Sequence, residues 1–136
     1  MFIHKPLDYT KELTVVTDAS GVRHYTTPEN NVYPSMTTVL SGMKKEILAK
    51  WRKRVGEDFA AKERERTCNR GNIIHSMCEL YVQNLPIKDI FALKDENGKK
   101  LYPPQYHGLF QKFKLLLDRH LTEVYLQEKA LYSDVL

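Results

Sequence analysis

The stretch between Gln105 and Leu121 constrains the fold most, because its apolar residues recur at the spacing of one helix face. These residues are Leu109, Phe110, Phe113, Leu116, Leu117 and Leu121. The pattern predicts a long amphipathic helix with its basic and polar residues outward. The chain has 136 residues, of which 42% are hydrophobic. Since this is enough to bury an ordinary core, we expect one domain covering residues 1–136.

Two β-rich runs near the N-terminus predict a hairpin. Residues 13–17 and 22–26 are rich in β-branched and aromatic side chains, and residues 18–21 between them are the small and Asx residues that suit a turn. Pro28, Asn30, Asn31 and Pro34 are then expected to break regular structure. Residues 1–34 are therefore predicted to form a hairpin and a loop.

Residues 35–122 are predicted to hold four or five helices. Ser35 can cap the first, which is expected to stop near Gly42, and residues 44–55 form a second, amphipathic helix that Gly56 interrupts. Residues 57–67 predict a third helix. Arg70-Gly71 is expected to break or bend the chain before a further helix that ends ahead of Pro86. Residues 87–104 carry turn signals and precede the amphipathic helix described above.

Side-chain character alternates from residue 124 to residue 132, which is typical of a strand. Apolar residues fall on both faces of this strand, so it needs neighbours in a sheet, and the only other predicted strands are those of the distant hairpin. We expect the partner strands from a missing C-terminal half, a separate polypeptide or a second copy of the chain. The predicted fold class is α+β and mostly helical, with residues 123–136 as its last strand.

Neither membrane association nor disulfide bonding is expected. No apolar run is long enough to cross a bilayer and the N-terminus lacks the apolar segment of a signal peptide, so the expected location is cytoplasmic. Cys68 and Cys78 fit neither a disulfide framework nor a metal knuckle, and we expect reduced thiols.

The positive charge is clustered, although the net charge is only +4. Around Trp51 lie the basic residues Lys44, Lys45, Lys50, Arg52, Lys53 and Arg54. Such a patch could follow nucleic-acid phosphates while the indole stacks on a base. It could equally be the solvated face of a surface helix, with Trp51 turned into the core. Charge alone leaves both interpretations open.

His75 and Glu79 stand four residues apart on a predicted helix, so both side chains project from the same face. An imidazole and a carboxylate can serve a divalent metal ion, but a site needs more than these two ligands. The alternative is a His–Glu hydrogen bond on a helix surface, which is the commoner arrangement for an isolated pair.

Two neighbouring features add to this pair. In Arg70-Gly71, the arginine can bind a phosphate or a carboxylate and the glycine permits close approach of a backbone, although a helix bend with a solvated arginine would look the same. Glu128 is predicted on the apolar face of the last strand, where a carboxylate must be paired, protonated or near a metal. Functional and structural interpretations of Glu128 both stay open.

Four blocks of the sequence, taken in order, resemble a known family. They are Tyr33-Pro34-Ser35-Met36-Thr37-Thr38-Val39-Leu40, Lys50-Trp51-Arg52-Lys53-Arg54-Val55-Gly56, Arg70-Gly71-Asn72-Ile73-Ile74-His75-Ser76-Met77-Cys78-Glu79 and Gln127-Glu128-Lys129-Ala130-Leu131-Tyr132-Ser133. Together they resemble the RecB-type PD-(D/E)XK nucleases, above all the exonucleases of phages and of mitochondrial genome maintenance. Each block is weak alone, and their order and spacing from about residue 33 onward carry the likeness.

The resemblance implies a function for each block. His75 would be a ligand of a catalytic Mg²⁺ or Mn²⁺ ion, with Glu79 and Glu128 as supporting carboxylates beside it. The DNA-binding residues would be Ser35, Thr37, Thr38, Lys50, Trp51, Arg52, Arg54 and Arg70. Residues 123–136 would be the first core strand of an incomplete nuclease sheet. The family's Asp...(Asp/Glu)-x-Lys motif, which binds the metal and orients the attacking water, does not occur before Leu136.

The resemblance therefore predicts the N-terminal portion of a DNA exonuclease, inactive alone and active with a C-terminal polypeptide that carries the missing motif. An alternative is a non-catalytic DNA-binding or regulatory module derived from the same family. A third is a homo-oligomer whose last strand pairs with its own copy.

Overall fold

The computed structural model describes residues 1–9 and 12–132, without the side chains of residues 43 and 44. In chain order the elements are β1 (Ile3–His4), β2 (Thr14–Thr17), β3 (Arg23–Thr26), β4 (Val32–Pro34), α1 (Met36–Val55), α2 (Glu57–Val82), α3 (Ile87–Ala92), a 3-10 helix (Pro104–Tyr106), α4 (His107–His120) and β5 (Glu123–Val124). The predicted α+β class, with more helix than strand, is confirmed. No helix of the described residues is long and apolar enough to span a membrane.

The predicted hairpin is confirmed, with β2 and β3 antiparallel and Val16 opposite His24. Its turn is held by the carboxylate of Asp18, which accepts hydrogen bonds from the backbone N–H groups of Ser20 and Val22 and from the hydroxyl of Ser20. The Ser20 hydroxyl, followed by Val22 N–H and His24, holds the pKa of Asp18 well below its usual range. The turn is thus closed by a carboxylate that stays ionised.

The sheet has a third strand that the sequence analysis missed. β4 pairs antiparallel with β3, through a turn in which Asn30 has a φ of 65° and its N–H bonds to the carbonyl of Thr27. The prolines and asparagines taken as breakers instead form this turn and an edge strand. Pro34 is tolerated there because an outer strand can end on a residue that donates no ladder hydrogen bond.

α1 begins where it was predicted and ends much later. Ser35 is its cap, with Oγ accepting a hydrogen bond of 3.0 Å from the N–H of Thr38. The predicted stop at Gly42 is wrong, because a glycine inside a helix costs only about 1 kcal/mol and the helix continues through it. Gly56 does end the helix, at a φ of 87° that favours glycine.

α2 runs without interruption from Glu57 to Val82, so the predicted break or bend at Arg70-Gly71 is wrong. Gly71 keeps the helical conformation. The predicted end ahead of Pro86 is confirmed, and its cause is Asn84, which adopts a φ of 67°. The N–H of Leu85 then bonds to the carbonyl of Leu80 at 3.0 Å, which closes the helix in a Schellman-type motif.

The predicted strand of residues 124–132 is largely wrong. β5 contains only Glu123 and Val124, and residues 125–132 form no strand. Glu128 has a φ of 54°, which is incompatible with extended backbone. The partner of β5 was expected from outside the chain, but it is β1, paired in parallel with Ile3 opposite Glu123. Residues 133–136 of the predicted strand lie outside the described residues.

The chain forms two compact units. The single domain expected from the length of the chain stays a prediction. The helical unit comprises Met1–Leu7 and Ala61–Gln127, and the sheet unit comprises Asp8–Ala60 and Glu128–Leu136. The core of the helical unit contains Ile74 and Met77 from α2, Ile90 from α3, and Phe110 from α4, with Tyr102 beside them. In the described part of the sheet unit, only Thr27 and Ala60 are buried.

The predicted helix of residues 105–121 corresponds to α4, and its apolar stripe divides into a buried and an open part. Phe110 is fully buried, while Phe113, one turn later, is 44% exposed. We therefore expect Phe110→Ala to lower the free energy of unfolding by about 3–5 kcal/mol, because it leaves a cavity in the core. Phe113→Ala is the matched control and should cost clearly less. Chemical denaturation followed by circular dichroism measures both, and equal losses would contradict this core.

Candidate functional site

The C-terminal half of α2 presents His75 and Glu79 on one side and core residues on another. His75 and Glu79 are one turn apart on a continuous helix, with His75 exposed and Glu79 half-buried. Ile74 and Met77 lie on the side of α2 that faces the core of the helical unit, and both are buried there. Because the core fixes the rotation of α2, it also fixes the direction in which His75 and Glu79 project.

The strand pair β1–β5 is fixed at the same end of α2. Val82, in the last turn of the helix, packs in a second cluster with Phe2, which precedes β1, and with Val124 of β5. The Nε2 of Gln127 donates a hydrogen bond of 2.9 Å to the backbone carbonyl of Glu79. These contacts place the chain that follows β5 against the helical turn that carries Glu79.

A second pair of contacts fastens β1 to the end of α2. The Nε2 of His4 donates a hydrogen bond of 2.8 Å to the carbonyl of Val82. The side-chain amide of Asn84 accepts from the N–H of Phe2 at 2.7 Å and donates to its carbonyl at 2.9 Å. Asn84 thus binds both backbone groups of Phe2, the residue just before β1.

Arg70 lies on a different side of α2 from His75. Five residues of helix turn the side chain by roughly 140°, and Arg70 stands one turn before the buried Ile74. It is half-buried and acts on Glu63, whose pKa is lowered first by its hydrogen bond with Arg66 and then by the charges of Arg66 and Arg70. Arg70 is therefore not brought together with His75 and Glu79.

The hydroxyl residues of the first block form the cap of α1. The Oγ of Ser35 is 2.9 Å from the Oγ1 of Thr37 and 2.8 Å from the Oγ1 of Thr38. All three belong to the sheet unit. Their mutual hydrogen bonds give them a structural function at this helix end whatever else they bind.

The basic residues of α1 are exposed near its other end, also in the sheet unit. Lys50, Arg52, Lys53 and Arg54 are exposed, and Trp51 is half-buried. Cations in the last turn of a helix interact favourably with the helix dipole, so a stabilising effect on α1 can also explain this cluster. Of the apolar residues of α1, Ile47 is 71% exposed, whereas Val55 is half-buried like Trp51. The side chain of Lys44 lies outside the described residues.

Glu128 does not occupy the buried position that the sequence analysis assigned to it. It is exposed, it follows Gln127 in the chain, and it belongs to the sheet unit, whereas His75 and Glu79 belong to the helical unit. In residues 1–9 and 12–132 no group of three or more histidine, cysteine, aspartate or glutamate side chains is close enough to hold a metal ion. His75 and Glu79 would supply two ligands of a larger set.

The contacts that organise this end of the helical unit were missed by the sequence analysis. Gln127, Asn84 and His4 bind backbone groups far away in the chain, and hydrophobic periodicity carries no signal for such bonds. Asn84 ahead of Pro86 is the one residue that could have been found, because asparagine often ends a helix in the left-handed conformation.

Comparison of the chain with protein-family models, with curated proteins and with solved structures finds no match.

The structure gives no backbone or packing reason for a glycine at position 71 of the third block. An added Cβ would meet nothing within 4 Å, and the backbone is helical. We expect Gly71→Ala to raise the free energy of unfolding by up to about 1 kcal/mol. Gly56→Ala, the control, should lower it, because the φ of 87° strains any side chain. Thermal unfolding compares the two variants, and a loss of stability in Gly71→Ala would contradict the continuous helix.

Proposed function

We propose that this chain forms the helical wall of a metal-dependent DNA exonuclease, completed by a C-terminal polypeptide that carries the Asp...(Asp/Glu)-x-Lys motif. The observation that carries the proposal is the placement of His75 and Glu79 on one side of a helix anchored in a core. The anchoring matters because metal ligands have to be held in place by rigid surroundings. The proposed reaction, hydrolysis of phosphodiester bonds at DNA ends, is inferred from the resemblance of the four sequence blocks to RecB-type nucleases.

The two side chains suit Mn²⁺ or Mg²⁺ as part of a larger ligand set. A carboxylate is a preferred ligand of both ions, and imidazole is accepted more readily by Mn²⁺ than by Mg²⁺. The partner would contribute the remaining carboxylates and the lysine. Such an ion would supply stabilisation of negative charge on the phosphate oxygens and activation of the attacking water. His75 and Glu79 would hold one side of that ion.

β5 offers the partner a place to join. In the parallel register with Ile3 opposite Glu123, the backbone N–H and carbonyl of Glu123 point away from β1. A strand of the partner could pair with this edge, while Asn84 binds the backbone of Phe2 just before β1. The joining strand is therefore β5 in this proposal, rather than the longer strand of residues 124–132.

α1 would hold the DNA. Lys50, Arg52 and Arg54 are exposed and could contact phosphates, and the indole of Trp51 is partly accessible for stacking. Ser35, Thr37 and Thr38 lie at the opposite end of the helix, about 25 Å away at the rise of an α-helix. The two groups would therefore contact different phosphates along the DNA. Arg70, on α2, would contribute a further phosphate contact.

The proposal predicts digestion of DNA ends when the chain is mixed with its C-terminal partner and Mg²⁺ or Mn²⁺. Replacing His75 with alanine removes a ligand and should lower the rate on the order of 100-fold. Glu79→Gln should lower it as well. Release of nucleotides from end-labelled duplex and single-stranded DNA measures the rates.

His120→Ala is the control, because His120 is exposed at the end of α4 and has no part in the proposed site. Circular dichroism of each variant separates loss of the fold from loss of the site. If no digestion occurs with the partner present, or digestion survives His75→Ala unchanged, the proposal is wrong.

The exposed basic residues of α1 support a second candidate, a non-catalytic DNA-binding module. It predicts binding by the chain alone, with an affinity that falls as salt rises. Replacing Lys50 and Arg52 with glutamine should reduce the slope of log affinity against log salt by about 0.9 for each phosphate that the variant no longer neutralises. Arg119→Gln, on α4, should leave it unchanged. Fluorescence anisotropy with labelled DNA measures the slopes, and binding that needs both partner and metal would contradict this candidate.

A further inference from the structure

β2 is an outer strand of the three-stranded sheet, which has the order β2-β3-β4. All four of its residues are exposed, and Val15 and Val16 project from opposite faces with 50% and 53% of their surfaces accessible. The strand has the sequence Thr14-Val15-Val16-Thr17, without charge, proline or glycine. These β-branched residues favour extended backbone.

The backbone of β2 is also open on one side. Asp18 donates its N–H to the carbonyl of Val22, so the hydrogen-bonded pairs alternate from there and include Val16 with His24. The N–H and carbonyl groups of Val15 and Thr17 therefore point away from β3. Among the described residues, none provides a backbone hydrogen bond to these groups outside the hairpin.

The two edges of the sheet differ in their protection. β4 ends on Pro34, which donates no hydrogen bond, and the chain then turns into α1 at the Ser35 cap. Proteins usually protect outer strands with charge, proline or a bulge, because an unprotected edge pairs with another strand. β2 carries none of these features.

We propose that β2 is the interface between two copies of this chain, which join into one antiparallel sheet of six strands. With Val16 on the two-fold axis, the outward groups of Val15 pair with those of Thr17 in the second copy. Val16 then faces its own counterpart at the short distance of a pair that shares no hydrogen bonds. On this axis β-branched residues face one another, because Val15 lies opposite Thr17 of the second copy and Val16 lies opposite Val16.

The flanking charges select this register over its neighbour. With the axis on Val16, Asp18 lies opposite Thr14 and Glu12 lies opposite Ser20, so no two carboxylates meet. Moving the axis to Val15 would place Glu12 opposite Asp18 of the second copy, and like charges facing across a strand pair are unfavourable. The interface is short and the dimer is therefore reversible. It lies in the sheet unit and does not depend on the proposed nuclease function.

Introducing a charge at Val16, of either sign, tests the proposal on the full chain. Val16→Lys and Val16→Asp each place two like charges on the axis and should weaken dimerisation at least about tenfold. An equimolar mixture of the two variants places opposite charges there and should restore the dimer. Since Val16 is already exposed, neither change disturbs a core, and circular dichroism checks this. Sedimentation velocity over a wide range of concentrations measures the dissociation constants.

Val32→Lys is the matched control. Val32 lies on β4, at the other edge of the sheet, and is 61% exposed. This variant should dimerise like the unchanged chain. A chain that stays monomeric at every concentration, a dimer that Val16→Lys does not weaken, or a mixture that restores nothing would each overturn the proposal. A dimer formed through β5 instead would be unaffected by charge at Val16 and would likewise overturn the proposal.

Discussion

The burial of Met77, Ile90 and Phe110 against one another is the interaction on which the rest of the helical unit depends. Phe110 meets Tyr81 and Phe91 edge to face, at centroid distances of 6.0 and 5.8 Å. Such aromatic contacts fix orientation as well as distance. They set the rotation of α2 relative to α4, and hence the side on which α2 carries polar residues.

A hydrogen-bonded group at the surface strengthens the same helix pair. The hydroxyl of Tyr81 donates to Asp118 at 2.6 Å, and Lys114 donates to the other oxygen of that carboxylate at 2.5 Å. Burial, followed by the Asp118 hydrogen bond, raises the pKa of Tyr81, so the hydroxyl remains a donor over the physiological range. The strands β1 and β5 then attach through Phe2, Val82 and Val124. The sheet unit has no comparable core among its described residues, and its outer strand is correspondingly open.

Local patterns predicted the hairpin, the Ser35 cap, the end of α1 at Gly56 and the helix α4, because spacing or a single residue determines each of them. They failed at Gly42 and Gly71, where the cost of glycine is smaller than the gain from continuing a helix. The last strand failed for another reason. The alternation of residues 124–132 is real, but Glu128 turns the backbone away and Gln127 bonds to a carbonyl on α2. The spacing of His75 and Glu79 was predictable, whereas the contacts that surround them are non-local.

The proposed function requires His75 and Glu79 to hold one side of a divalent ion. Paramagnetic Mn²⁺ tests it most directly, through the NMR signals of the chain bound to its C-terminal partner. With the ion held there, side-chain signals of His75 and Glu79 broaden first, at low metal concentration, while those of His120 persist to higher metal concentrations. Broadening centred on His120, or equal broadening of all exposed histidines and carboxylates, would contradict it.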